Sequence, residues 1–107
     1  MIHTRKLTVI LARNWSRTDG NWVHKTAARE SGIFEASIVV RKYPWERRGT
    51  RTPKLLASFS GGPQCFADME TGGNTRAEAA RTLIGLAMAA TKARGGEAAR
   101  TGQDHRA

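Results

Sequence analysis

Apolar and polar residues alternate through the middle of the chain, and apolar residues recur at helical spacing near its end. Across residues 33–43, Phe34, Ala36, Ile38 and Val40 fall on one side, and Glu35, Ser37, Val39 and Arg41 on the other. A period of two is that of a strand with one face toward a core. Residues 55–60 repeat the pattern, with Leu55, Ala57 and Phe59 on one face, and Gly61-Gly62-Pro63 turns the chain. Residues 64–69 read as a last strand. At the other end, Leu7-Thr8-Val9-Ile10-Leu11-Ala12-Arg13 is rich in β-branched residues and mostly apolar on both faces, which predicts an interior first strand with no helix before it. Asp19-Gly20 is the signal of a tight hairpin turn. Residues 22–26 read as the returning strand, while Ala27-Ala28-Arg29-Glu30 favours helix; the alternative is one short helix across residues 22–30 capped by Asn21.

The period changes after Gly72-Gly73-Asn74. Thr75 followed three residues later by Glu78 is a capping box, and it predicts one long helix over about residues 76–94. Ala79, Ala80, Leu83, Ile84, Leu86, Ala87 and Ala90 give a wide apolar stripe, with Arg76, Arg81 and Lys92 left for the outer face. Gly95-Gly96 ends the helix, with Lys92 and Arg94 complementing its dipole. Residues 96–107 are small, polar and mixed in charge, the composition of a disordered tail. The expected architecture is a single α+β domain over residues 1–95. It is an antiparallel sheet of about four or five strands with one long C-terminal helix packed on one face.

Composition narrows the class. A chain of 107 residues can bury a core without disulfides or metals. No apolar stretch is long enough to span a bilayer, and residues 7–12 are too short for a secretory leader, so the expected location is cytoplasmic, away from membranes. Cys65 is the sole cysteine, which removes internal disulfides and Cys-based zinc sites; beside Phe66 it reads as a small buried hydrophobe. The 18 cations and 9 anions give a net charge of +9, which favours nucleic acid, an anionic membrane surface or an acidic protein as partner. Thirteen of the cations are Arg, suited to bidentate phosphate contact, although a GC-rich genome would also raise Arg, Ala and Gly together.

Catalysis finds no support in spacing. His3, His24 and His105 have no carboxylate at a fixed interval, and Asp68 and Glu70 read as solvated acids beside a glycine turn. No phosphate-loop, dinucleotide, nucleophile-elbow or metalloprotease motif is present. No catalytic residue, metal or cofactor is expected, and the chain reads as a binding module.

The candidate surface is the run from Arg41 to Lys54, which Pro44 and Pro53 hold outside the sheet. It offers Arg41, Lys42, Arg47, Arg48, Arg51 and Lys54 as cations, with Tyr43 and Trp45 as flat apolar faces. Arg interleaved with aromatics suits RNA or single strands, where bases stack on rings and cations follow phosphates. The first expectation is therefore nucleic-acid binding, reinforced if the sheet brings Arg5, Lys6, Arg13, Arg17 and Lys25 to the same side. The second is a protein-interaction module, for the same residue types dominate protein hot spots. Such a module would be an inhibitor encoded by a mobile element, anti-CRISPR-like, seated on an acidic patch of a host complex. A homodimer through a strand edge, or through Trp15 and Trp22, is a third.

Gly73, Thr75 and Arg76 form a lesser candidate, an anion site at a glycine-led helix N-terminus, against the plainer reading of a capped helix start. Gly73-Asn74-Thr75-Arg76-Ala77-Glu78-Ala79 resembles the loop that opens the final helix of double-stranded RNA-binding domains, where Gly, Ser/Thr and Lys residues meet phosphates after three strands. Ala77 and Glu78 depart from that family's continued basic character. The same residues resemble the Gly-Asp-Thr-x-x-Glu-Ala segment of HicB-type antitoxins, without the strand and helix that follow there. A capping box accounts for most of both overlaps, and the chain is assigned to neither family.

Overall fold

The computed structural model describes residues 4–45 and 51–106, and the side chains of residues 5–45 and 51–93. Its first element is a helix, α1 (Thr4–Leu11), where the β-branched run predicts a strand. The apolar residues there fit two periods, and burial selects the helical one. Leu7 and Leu11 are buried and Ile10 half-buried, whereas Thr8 and Val9 face out. A helix of this length leaves its last carbonyls open, and the sheet closes them. Trp15 Nε1–H donates to the Leu11 carbonyl at 2.8 Å, and His24 Nε2 meets the Ile10 carbonyl at 3.0 Å. Asn14, at a φ of 70°, then turns the chain into the sheet.

Five antiparallel strands follow in meander order: β1 (Trp15–Thr18), β2 (Asn21–His24), β3 (Ser37–Lys42), β4 (Leu55–Ser60) and β5 (Glu70–Gly73). Asp19 and Gly20 both have positive φ, 53° and 82°, the two-residue turn whose twist matches a hairpin. A short helix, α2 (Ala27–Glu30), links β2 to β3 and buries Ala27 and Ala28, so the ambiguous segment resolves into a strand and then a helical turn. Residues 64–69 are not a strand. Gln64–Phe66 is a single 3₁₀ turn, and the last strand comes only at Glu70. Phe66 anchors that turn by packing on Phe34, ring centres 4.9 Å apart, with Phe34 in turn 5.1 Å from Phe59. Cys65 beside it is exposed, contrary to the buried thiol expected, because the 3₁₀ turn sends Phe66 alone inward.

The alternation in β3 and β4 sets the faces. Ile38, Val40, Ala57 and Phe59 join residues of all three helices in one core, while Val23, Val39 and Ser58 on the other face are half-buried. The long helix α3 (Arg76–Arg106) lies on β5, β4 and β3 and against α1. Its inner face is Ala79, Ala80, Leu83, Ile84 and Ala87; Leu86, expected in the stripe, is 47% exposed. Small residues let it come close: a Cβ on Gly73 would lie 2.6 Å from the Ala79 nitrogen. The helix runs on past Gly95-Gly96, where the sequence predicts its end, to Arg106; the side chains of residues 94–107, which include the expected tail, lie outside those described. The α+β architecture, an antiparallel sheet with a long helix on one face, is as the sequence predicts. Among the described residues no helix is long and apolar enough to cross a membrane.

Candidate functional site

The basic run leaves the sheet between β3 and β4. Tyr43 N–H donates to the Lys54 carbonyl at 3.0 Å, which closes the base of the loop. On the returning leg, Pro53 lies over β5, where a Cβ on Gly72 would be 2.5 Å from its Cγ. Tyr43 and Trp45 meet edge to face with ring centres 5.0 Å apart, and Trp45 is 60% exposed. Lys42, Arg51 and Lys54 are exposed. Arg47 and Arg48 lie outside the described residues. Arg41 is the exception in this group, because its guanidinium donates to Glu70 at 3.1 Å on the face away from the helices. Its charge is therefore largely compensated in place.

At the start of α3 the capping box forms. Thr75 Oγ1 accepts from the Glu78 amide at 3.1 Å, and the Glu78 carboxylate accepts from the Asn74 amide at 3.3 Å. That carboxylate stands on an amide that the anion-site reading of Gly73, Thr75 and Arg76 would give to a ligand. Arg76 does not turn outward as its place off the apolar stripe predicts. It is half-buried and folds back over the sheet.

Its destination is a cluster that the linear sequence scatters. The Arg76 Cζ lies 3.8 Å from the Trp22 ring centre and 5.5 Å from that of Trp15. Arg17, directly opposite Trp22 across the β1–β2 hairpin, places its own Cζ 4.5 Å from the same indole. Trp15 is fixed by its bond to the Leu11 carbonyl and by an edge contact with His24, ring centres 5.2 Å apart. Arg17 and Trp22 also line a cleft of about 290 Å³ with Gly20, Asn21, Lys42 and Leu55. Lys42 thus belongs both to this cleft and to the root of the basic loop. Arg17 and Trp22 enter the sequence reading only separately, one as a remote cation and the other as a dimer contact. Their pairing was encoded all the same, since a two-residue turn at 19–20 sets 17 opposite 22.

A larger cleft of about 690 Å³ lies between α1, the turn after α2 and α3, lined by Leu7, Ile33, Gly85 and Met88 with Arg81 and Lys92 beside them. It shares no residue with the basic cluster. Among the described residues no three His, Cys, Asp or Glu side chains come together in a way that could hold a metal ion. Comparison of the chain with family models, with curated proteins and with solved structures returned no match.

Proposed function

We propose that this protein is a small binding module, not an enzyme, that contacts the phosphates of nucleic acid through the β3–β4 loop and the surface at its root. The observation that carries the reading is uncompensated charge beside an exposed Trp45 that packs on a half-buried Tyr43. Among the described residues only Arg29–Glu35, at 3.9 Å and largely exposed, and Arg41–Glu70 form ion pairs. Lys42, Arg51 and Lys54 stand exposed next to Tyr43 and Trp45. Cations that follow a backbone and a ring that can take a base are the two parts of single-strand recognition.

Fluorescence anisotropy with labelled single-stranded and duplex DNA and RNA tests this. Binding should fall steeply between about 50 and 200 mM salt, as counterions released by each neutralised phosphate require. Arg47→Ala with Arg48→Ala should weaken all sequences alike, and Trp45→Ala should cost roughly 1–3 kcal/mol on single strands. No binding to any of these nucleic acids at low salt would reject the proposal.

The exposed Trp45, packed against Tyr43, favours one second reading, a protein-interaction module on an acidic partner such as a complex targeted by a mobile-element inhibitor. A stoichiometric protein that stays bound through a high-salt wash of the purified complex would support that reading over the first.

A further inference from the structure

We infer that Arg17 and Arg76, held on the Trp22 indole with Lys42 across the cleft, form a clamp for the phosphodiester backbone that reads no base. This rests on the nucleic-acid reading above and assigns a separate task to a second part of the surface.

A guanidinium stacked on an aromatic ring is held by its plane, so its five N–H donors stay free at the edge. Among the described residues neither Arg17 nor Arg76 pairs with a carboxylate. Both contacts are set by the fold. Arg17 is placed by the hairpin register and Arg76 by the capped first turn of α3. The donors are therefore positioned before a ligand arrives, which lowers the ordering cost of binding. The ligand class follows from what the ring can still do. Trp22 is half-buried and already carries two guanidinium groups, leaving no room to stack a base. A phosphate meeting the edge of Arg17 and the ammonium of Lys42 in the cleft, with a neighbouring phosphate on Arg76 at the same indole, fits that chemistry. Trp45, 60% exposed in the adjoining loop, remains the residue with a surface for bases. The two parts predict different signatures. The clamp should set the salt dependence of binding, and the loop should set strand preference.

The test measures the slope of log affinity against log salt for the intact protein, with single strands and duplexes of several sequences. Arg17→Ala with Arg76→Ala should reduce the slope by roughly 1–2 and weaken binding about tenfold or more at low salt, equally for every sequence. Arg17→Gln, at an exposed position on an edge strand, should reduce the slope by about 1 and serves if the double variant fails to fold. Trp22→Leu removes no charge, so it should leave the slope unchanged while lowering affinity several-fold through lost positioning. A folded double-alanine or Arg17→Gln variant with the wild-type slope would overturn the clamp and leave the loop reading intact. Loss of discrimination among base sequences in those variants would overturn it too. Wild-type protein that binds no oligonucleotide would instead reject the parent proposal. Displacement of oligonucleotide by polyglutamate at matched charge would overturn the phosphate assignment in favour of an acidic protein surface.

Discussion

His24 is fully buried and joins three elements, so its replacement should cost far more than its lack of any catalytic setting suggests. Its Nδ1 accepts the Ala27 amide at 3.1 Å, which puts the ring proton on Nε2, and Nε2–H then donates to the Ile10 carbonyl at 3.0 Å. One ring thereby ties β2 to the first residue of α2 and to the end of α1. His24→Phe keeps the ring and the edge contact with Trp15 but removes both bonds. The Ala27 amide belongs to a residue with no exposed surface, so orphaning it costs about 1–3 kcal/mol. The Ile10 carbonyl sits on a half-buried residue that water can approach, so its loss is nearer 0.5–1.5 kcal/mol, roughly the net value of one bond. A total of about 2–4 kcal/mol lowers the melting temperature by roughly 10–30 °C in a domain of this size. Thermal melts followed by circular dichroism, with urea titrations for the free energy, measure it. Two further variants separate the bonds. Asn places an acceptor near Nδ1, and Gln places a donor near Nε2, so each should recover part of the loss. Hydrogen exchange should show the Ala27 amide losing protection in the Phe and Gln variants and keeping it in the Asn variant. A Phe variant within about 0.5 kcal/mol of wild type would refute the reasoning, as would Asn and Gln variants both less stable than Phe.

Three other outcomes are expected. Thr75→Ala should destabilise by about 1 kcal/mol in urea titration, and combining it with Glu78→Ala should be less than additive because the two side chains form one cap. Gly73→Ala should cost about 1–3 kcal/mol, since its Cβ would meet the backbone nitrogen of Ala79 at 2.6 Å; Gly85→Ala, with nothing within 4 Å in mid-helix, should stabilise by about 0.5–1 kcal/mol in the same assay. A double-mutant cycle on Arg41 and Glu70, both more than a third exposed, should give a coupling of only about 0.2–1 kcal/mol that shrinks with added salt.

Strands β3 and β4 and the start of α3 were legible because their signals are local. Alternation, proline placement and a capping box each sit within a few residues, and the structure uses all of them. The Asp19-Gly20 turn was legible for the same reason. Helix α1 was not, because Thr8, Val9 and Ile10 carry β propensity that tertiary bonds override. The Trp15 and His24 side chains that close α1 lie four and fourteen positions beyond the carbonyls they reach. The last strand was misplaced because the apolar residues of 64–69 imitate alternation, while Phe66 alone is needed to fill the space beside Phe34. For the candidate site, the loop was visible as composition, but the Arg76–Trp22 contact depends on how α3 crosses the sheet, which no periodicity records.

The charge excess is sorted by position. Among the described acids, Glu78 caps α3, Glu70 holds Arg41, Glu30 accepts from Thr26 Oγ1 at 3.0 Å, and Glu35 faces Arg29. These carboxylates are engaged locally, and of the cations lining the cleft only Arg41 has an ion-pair partner among the described residues, Glu70. Positive charge accumulates there because hairpin register and strand pairing bring Arg17, Arg41 and Lys42 to one cleft. A genome that favours Arg codons would raise the number of arginines across the whole chain. It would not set two of them on one indole, one through hairpin register and the other through a helix crossing. Lys could supply the charge at either position but not a planar group that stacks on the ring and keeps its donors free. What distinguishes this surface is therefore arginine at 17 and 76 specifically, and a Lys replacement at both should keep the electrostatic attraction while losing the fixed geometry.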